Sequence, residues 1–382
     1  MRKVLFVCVC VTAALVLGGC QKKAQPAAQG AAEPAAQQVV DIPVPVLPAG
    51  VLSTGPHGEQ ASSAQSLSLS DDEIAKIKSG NYKVAIAFHY AGNDWSTAQQ
   101  AGLRDQFGKM GITVVSVTDA NFKAEQQISD IENAIAMKPN AIVSIPVDVV
   151  SSRSVFKKAA DAGIKIVFMD NCPDGLTAGK DYIAVVSADN YGNGVASAQI
   201  MGESLGGKGK IAMVYHDANF FVTNQRDAAF EKTIKDKYPG IQIVEKMGFD
   251  DENKGAEIGD ALLTKHPDLN GIYATWDIPA EGVVSAIKAA RRDDVIVTTI
   301  DLGNNAAKNI AERGAIKGLG AQRPYDQGVA EAILVGYALL GKEAPVYVAL
   351  PALPVVHANV LAAYEEVYHS PAPAEIKNAY KN

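Results

Sequence analysis

The sequence predicts an α/β protein that contains two doubly wound parallel sheets. From residue 82 onward, short apolar strands alternate with amphipathic helices. The strands are continuously apolar, which is typical of parallel sheets that helices cover on both faces. About ten such strands are more than one sheet holds comfortably, so two domains are favoured over one.

The first element along the chain is a secretory signal. Arg2 and Lys3 precede an apolar run over residues 4–17, and small residues and Cys20 follow this run. This order of charge, short hydrophobic core and small-residue cleavage site is typical of a signal peptide, and the run is too short to span a bilayer. We therefore expect residues 1–19 to be removed and the chain to be exported.

The residues Leu17-Gly18-Gly19-Cys20 resemble the lipobox of bacterial lipoproteins. The resemblance implies that Cys20 is lipidated and becomes the mature N-terminus. The expected location is then a membrane surface, with the lipid-anchored chain in the periplasm or on the outer face of the cytoplasmic membrane. An ordinary cleaved signal with an incidental cysteine is the alternative.

Charge and cysteine content exclude several classes of function. Loss of Arg2 and Lys3 leaves 33 of the 35 basic residues against 42 acidic ones, a net charge of −9. A mildly acidic chain with no basic cluster is a poor partner for nucleic acid or anionic lipid. Outside the signal and Cys20 the sequence has one cysteine, Cys172. No internal disulfide is therefore expected, and the fold must rely on its hydrophobic core.

Residues 20–69 are expected to form the lipidated N-terminus and a flexible linker. They are mainly Ala, Gln, Pro, Ser and Val with no sustained period, a composition typical of tethers. Residues 39–52 are more apolar than a linker needs, and the sequence leaves open whether they pack on the folded part. Ser70 and Glu73 have the spacing of a capping box, which predicts a short helix after the linker.

Strands and helices then alternate along the chain. One helix is predicted over residues 96–110, where Leu103, Phe107 and Met110 share a face, and another over residues 123–137. Strands are predicted at residues 82–88, 113–118, 141–145, 165–169, 183–186, 210–215, 241–247, 271–274, 295–300 and 317–320.

The ends of these strands carry the candidate site. In open parallel sheets, ligands bind beyond the carboxyl ends of the strands. Amide and carboxylate side chains pair with hydroxyl groups, and aromatic rings pack against C–H faces, so this composition favours a sugar or polyol. The candidate binding residues at strand ends are Asn93, Trp95, Ser96, Asp170, Asn171, Phe249, Trp276, Asp301 and Gln322.

Some of these positions have a structural alternative, and enzyme motifs are missing. We expect Asp277, and also Asp94, to cap the following helix, and core packing is the alternative for Trp95 and Trp276. The sequence has no dinucleotide or phosphate-binding glycine loop, no Gly-x-Ser-x-Gly and no His-Glu-x-x-His. We expect no enzyme activity, no cofactor and no metal. A sugar hydrolase that uses two carboxylates is a remote alternative, with Asp170 and Asp301 as the pair.

Seven short motifs at strand ends carry a resemblance. The chain reads Asn93-Asp94-Trp95-Ser96, Asp170-Asn171, Asn224-Gln225-Arg226, Phe249, Thr275-Trp276-Asp277, Asp301-Leu302-Gly303 and Ala321-Gln322. In this order they resemble the ribose- and galactose-binding type of periplasmic binding protein, the substrate-binding subunit of sugar ABC importers. The resemblance covers residues 82–353 and adds Asn224 to the candidate binding residues. Asn171 and Asn224 stand where such relatives have arginines, and Trp276 where they have asparagine, which suggests a neutral ligand with a larger apolar face.

The resemblance implies a fold and a function. The fold is the type I periplasmic binding protein fold, with an N-terminal lobe of residues 70–187 plus 323–352. A C-terminal lobe of residues 188–322 plus 353–382 is joined to it by a three-strand hinge. A monomer would bind a neutral monosaccharide or polyol between the lobes, close, and deliver the ligand to a membrane permease. A sensory receptor that feeds a membrane kinase or chemoreceptor is the alternative.

Overall fold

The computed structural model of the chain describes residues 42–381. The predicted signal peptide, Cys20 and the first half of the predicted linker lie outside the described residues. Within residues 42–381, no helix is long and apolar enough to cross a membrane.

The strands are short and belong to two sheets. In chain order they are β1 Ser62–Ser63, β2 Lys83–Phe88, β3 Thr113–Asp119, β4 Ala141–Ser144, β5 Lys165–Met169, β6 Ala184–Ala188, β7 Lys208–His216, β8 Gly240–Phe249, β9 Gly271–Ala274, β10 Ile296–Ile300, β11 Ile316–Ala321, β12 Tyr347–Leu350 and β13 Leu353–Val356. The first sheet has the order β1-β12-β6-β5-β4-β2-β3, and the second has the order β13-β11-β10-β9-β7-β8.

Helices follow most of the strands. They are α1 Asp71–Ser79, α2 Asp94–Lys109, α3 Ala124–Ala136, α4 Arg153–Asp161, α5 Asn190–Ser204, α6 Phe221–Lys237, α7 Gly255–Lys265, α8 Asp277–Ala290, α9 Asn304–Ala311, α10 Pro324–Leu340, α11 Val360–Tyr368 and α12 Ala374–Ala379. The predicted capping box is confirmed, since the Ser70 side chain accepts from Glu73 N and the Glu73 carboxylate accepts from Ser70 N.

Both sheets are covered by apolar side chains on both faces, as a doubly wound architecture requires. One face of the first sheet packs around Phe107 and the other around Phe156, and both rings are fully buried. The second sheet buries Leu262 on one face, and on the other the rings of Phe230 and Tyr273 stack 4.0 Å apart. The predicted fold class, two doubly wound lobes, is confirmed.

The chain passes between the sheets three times, also as predicted. It leaves the first sheet between β6 and α5, because α5 packs against β10 and β11. It returns between β11 and α10, whose helix packs against α2 and β5, and it leaves again between β12 and β13.

Strand β13 departs from the predicted parallel pattern. It pairs antiparallel with β11, and Leu353 lies opposite Ala321. Strand β12 belongs to the first sheet, and only residues 351–352 separate its carboxyl end from β13 in the second sheet. The short connection brings the chain in at the carboxyl end of β11, so β13 must run in the opposite direction.

The linker predicted over residues 20–69 is too long. Leu52 N and Ser53 N donate to the Asp189 carboxylate at 3.0 and 2.9 Å, and Ser53 is buried. Gln225 Nε2 on α6 donates to Thr54 O at 2.9 Å, and β1 pairs with β12. We call residues 52–63 the N-terminal strap. It packs on the folded body because its backbone groups find partners there, and the local composition does not encode those partners.

Candidate functional site

A cleft of about 620 Å³ lies where strands of the two sheets end. Its lining includes residues that follow β2, β4 and β5 in the first sheet and β7, β8, β9, β10 and β11 in the second. This is the edge at which parallel α/β sheets bind ligands. The lining residues are His89, Tyr90, Asn93, Trp95, Asn121, Phe122, Ile145, Val147, Asp148, Asp170, His216, Ala218, Asn219, Phe220, Val222, Thr223, Arg226, Phe249, Asp250, Asp251, Glu252, Asn253, Trp276, Asp301 and Gln322.

Most of the predicted binding residues are brought together in this cleft. Those that line it are Asn93, Trp95, Asp170, Phe249, Trp276, Asp301 and Gln322. Ser96, Asn171 and Asn224 do not line it. Ser96 is buried and completes the capping box of α2 with Asn93, and Asn171 is buried beside Asp170.

Asn224 is exposed on α6, where the resemblance had suggested a ligand contact. Val222, Thr223 and Arg226 of the same helix line the cleft. Residues three or four apart share a helix face, whereas residue 224 lies about 200° around the helix from residue 226. For this geometric reason Asn224 does not line the cleft, and Arg226 of the same helix lines it instead.

Asp301 is the centre of a set of hydrogen-bonded polar side chains. It follows β10 with a φ of 72°, a left-handed conformation that Asp and Asn tolerate better than most residues. Gln322 Nε2 donates to Asp301 Oδ1 at 2.8 Å, and Arg226 Nη1 lies 3.6 Å from Asp301 Oδ2. Burial raises the pKa of Asp301, while the Arg226 charge and the Gln322 donor oppose this shift.

Arg226 is held on two further sides, so its position in the cleft is fixed. Its Nε donates to Asn190 Oδ1 at 3.0 Å and its Nη1 to Thr275 O at 3.2 Å. The Arg226 side chain is 4% exposed and that of Asp301 is 12% exposed. Sequence reasoning did not select Arg226, because α6 has no distinct apolar face that marks the residues it buries.

Asp170 supplies a second buried carboxylate. It follows β5 with a φ of 51°, and Ser187 Oγ donates to its Oδ1 at 2.6 Å. Burial raises the pKa of Asp170 to about 6, against the opposing effects of Ser187 and the Arg226 charge. Asp170, Arg226, Asp301 and Gln322 are called the polar cluster below.

Asp94 and Asp277 cap a helix, but the helix is not the one predicted. Asp277 Oδ2 accepts from Gly303 N at 2.9 Å, and the Asp94 carboxylate accepts from Asn304 N at 2.7 Å. Gly303 is the N-cap of α9 and Asn304 is its first residue, so both carboxylates lie at the α9 N-terminus. Asp94 belongs to α2 beside the first sheet, and its bond to α9 therefore joins the two lobes.

Aromatic rings in the cleft form a connected chain, which we call the aromatic belt. Tyr90 stacks on Phe122 at 4.9 Å, Phe122 meets His89 at 5.0 Å, and His89 stacks on Phe220 at 5.8 Å. The chain of contacts continues through His216 to Phe249 and Trp276, which meet edge to face at 4.9 Å. The belt thus runs from the first lobe to the second, and the stacking of His89 on Phe220 crosses between them.

Glu252 joins the two ends of the aromatic belt. Trp276 Nε1 donates to Glu252 Oε2 at 3.1 Å. At the other end of the belt, burial together with the nearby Glu252 charge raises the pKa of Tyr90. Trp95 is more deeply buried than Trp276. It is 9% exposed, and it packs in the core of the first sheet as well as lining the cleft.

Both histidines of the belt are held neutral. Burial lowers the pKa of His89 to about 3, and burial also lowers the pKa of His216. Neutral imidazoles stack on rings and present one donor and one acceptor. Within residues 42–381, no group of His, Cys, Asp and Glu side chains could hold a metal ion.

The comparisons with known proteins agree with this geometry. A sequence model of the periplasmic binding protein domain matches residues 84–344. The ribose import binding protein RbsB of Bacillus subtilis is 26% identical over 239 residues, which are 62% of this chain and 75% of that protein.

Solved structures show the same fold. A solute-binding protein of an ABC transporter from Agrobacterium vitis, solved with α-D-tagatopyranose, superposes with a TM-score of 0.70 at 24% identity, covering 75% of this chain and 99% of its own. A periplasmic solute-binding protein of an ABC transporter from Actinobacillus succinogenes, solved with D-allose, superposes with a TM-score of 0.66 at 26% identity, covering 73% of this chain and 99% of its own.

Proposed function

The chain belongs to the periplasmic binding protein domain family, and we propose that it binds a neutral monosaccharide or polyol in the cleft and delivers it to the membrane permease of a sugar ABC transporter. The observation that carries this proposal is the polar cluster. It holds two carboxylates and an amide at strand ends together with the guanidinium of Arg226 on α6. Each carboxylate can accept two hydroxyl groups through charge-assisted hydrogen bonds.

The electrostatics of the cluster suit an uncharged ligand. Arg226 offsets the charge of Asp301, which lies 3.6 Å away, and the belt histidines are neutral. The ionised Asp170 carboxylate then accepts ligand hydroxyls and repels an acidic sugar. The rings of the aromatic belt provide apolar faces that pack against C–H groups and exclude water. We assign ligand binding to the predicted residues that line the cleft and to Arg226, which takes the place of Asn224.

Binding is coupled to the relative position of the two lobes, which we place at residues 70–187 plus 323–352 and 188–322 plus 353–382. The bond of Asp94 to Asn304 and the stacking of His89 on Phe220 both join the lobes near the cleft. A ligand that contacts both walls stabilises this closed arrangement, and the closed, loaded form is what the permease recognises. No bond in the ligand is broken, so we assign no enzyme activity.

Membership in the family implies an exported, periplasmic protein. We propose that lipidation of Cys20 and the residues before the N-terminal strap tether the folded body to the membrane. Intact-mass analysis of protein extracted from membranes tests this: cleavage before Cys20 and an added lipid are expected. A Cys20→Ala variant that stays in the membrane fraction would contradict it.

A ligand screen tests the binding function. Neutral monosaccharides and polyols are added singly to the full-length chain, and the melting temperature is measured. A ligand that binds only the folded state at about 100 times its Kd adds about 2.7 kcal/mol to the unfolding free energy. Calorimetric titration of each compound that raises the melting temperature should give one site per chain. If no sugar or polyol raises it, the proposal is wrong.

A further inference from the structure

The cleft is larger than a single sugar ring requires. Pockets of about 300–1,000 Å³ hold drug-sized ligands, and the cleft of about 620 Å³ lies in the middle of that range. The polar cluster is compact, because Gln322 and Arg226 both contact Asp301 and the charges of Arg226 and Asp301 both act on Asp170. One sugar ring on this cluster leaves much of the cleft unfilled.

The remaining part of the cleft has a different character and a different depth. Phe122 is 42% exposed, and Tyr90 and Glu252 are half-buried, whereas the Arg226 side chain is 4% exposed. The polar cluster therefore forms the floor of the cleft, and Tyr90, Phe122 and Glu252 lie nearer its mouth. We call these three residues the mouth set.

The mouth set combines flat faces with hydrogen-bonding edges. Tyr90 and Phe122 are nearly parallel, with an interplanar angle of 15°, so each has one face covered by the other. Glu252, the third residue of the mouth set, accepts a hydrogen bond from the indole N–H of Trp276. The exposed amides of Asn121 and Asn253 lie beside Phe122 and Glu252 in the lining. A planar group with polar edges fits this chemistry, because stacking uses the flat faces and the rim groups satisfy its donors and acceptors.

We propose that the physiological ligand is a neutral sugar that carries a planar aromatic or heteroaromatic ring on its anomeric carbon. The sugar binds the polar cluster at the floor, and the planar ring packs against the mouth set. This inference rests on the proposed binding function and extends it from the sugar to the group attached to the sugar. Aryl glycosides and nucleosides both have this chemistry, so the test includes both.

The experiment compares matched pairs by calorimetric titration of the full-length chain. The pairs are D-ribose with uridine and with inosine, D-glucose with phenyl β-D-glucoside, and D-galactose with phenyl β-D-galactoside. In at least one pair, the compound with the planar ring should bind about tenfold or more tightly than the bare sugar, which is the usual size of one stacking contact.

A variant separates stacking at the mouth from a general effect of ligand size. Phe122→Leu keeps an apolar side chain but removes the flat face, so the affinity ratio within the best pair should fall several-fold. Tyr380→Leu is the matched control, because Tyr380 stacks on His357 away from the cleft lining, and the ratio should stay unchanged in it.

The outcomes separate this inference from the function on which it rests. Bare sugars that bind at least as tightly as every planar partner would overturn the inference and leave sugar binding intact. An equal fall of the ratio in Phe122→Leu and Tyr380→Leu would overturn it as well. If none of these compounds and no other sugar or polyol binds, both the inference and the proposed function are wrong.

Discussion

The polar cluster and the aromatic belt line the same cleft but are held in place by different forces. Each charged group of the cluster has a fixed partner, such as Ser187 for Asp170 and Asn190 for Arg226. The rings of the belt mainly contact one another. Trp276 is additionally held by its hydrogen bond to Glu252. Directional bonds preorganise the cluster for one arrangement of hydroxyls, whereas ring contacts adapt to different apolar faces.

The largest effect is expected in the polar cluster. Asp301→Asn keeps the left-handed backbone but removes the charge, and charged hydrogen bonds are worth roughly 1.5 to 3 kcal/mol each. Affinity for the ligand found in the screen should fall about a hundredfold by calorimetry. Asp277→Asn is the control, because Asp277 caps α9 and does not line the cleft. An equal loss of affinity in both variants would mean that Asp301 acts through stability alone.

The second prediction uses pH to sharpen the contrast between charged and uncharged parts of the site. Ligand hydroxyls need the ionised form of Asp170, whose pKa is about 6. Affinity should therefore fall about tenfold between pH 7 and pH 5 as Asp170 takes up a proton. Asp170→Asn should lose most affinity at pH 7 and show a flat profile over this range. A wild-type affinity that does not change with pH would contradict the role of Asp170.

The stability of the unliganded protein should depend on pH in the opposite direction, falling as the pH rises. Burial raises the pKa of Asp170 above that of an exposed Asp, so the folded state binds the proton more tightly than the unfolded chain does. This contribution to the unfolding free energy is fully present below about pH 4 and is lost as the pH rises through about 6. Urea titrations of wild type and Asp170→Asn measure it.

A smaller effect is expected in the aromatic belt. Trp276→Leu removes one flat wall while its neighbours Phe249 and His216 remain, so affinity should fall about tenfold. Trp276→Phe should lose less. The ligand-induced change in tryptophan fluorescence should nearly disappear in Trp276→Phe and persist in Trp95→Phe, because Trp95 is mostly buried in the core. The reverse result would exchange the assigned roles of the two rings.

The smallest effect is expected at the contact between lobes. Asp94→Ala removes the bonds to Asn304 and weakens the closed form by about 1 kcal/mol, which is about fivefold in affinity. Asp71→Ala is the matched control, because Asp71 is the first residue of α1 as Asp94 is of α2, and it does not line the cleft. Equal affinities of the two variants would show that this contact does not contribute to closure.

The parts of the site that follow strands could be predicted from sequence. Asp170, Asp301 and Gln322 directly follow buried strands, and the carboxyl ends of parallel strands meet at one edge. His89 and Tyr90 obey the same rule, since they directly follow β2, although the predicted binding residues after this strand start at Asn93. Phe249 and Trp276 were selected as rings at strand ends, and both line the cleft.

Other parts depend on contacts that local sequence does not encode. Phe122 lies in a loop with a φ of 57°, and no periodic pattern marks it. Glu252 follows the end of β8 by three residues and gains its position from Trp276, which lies between β9 and α8. The position of Asp94 at the start of α2 predicts a cap of its own helix, but its partner Asn304 is 210 residues away. Long-range pairs of this kind appear only once both lobes are assembled.

The N-terminal strap also sets where the independent folding unit begins. The family match starts at residue 84, yet Asp189 at the first crossing between lobes is bonded by Leu52 and Ser53. A chain cut at residue 84 would leave the Asp189 carboxylate with Gly192 N as its remaining backbone donor. It would also remove β1, one of the two strands that pair with β12. The folded body therefore begins with the N-terminal strap, before the start of the family match. Truncation at residue 84 removes part of that body.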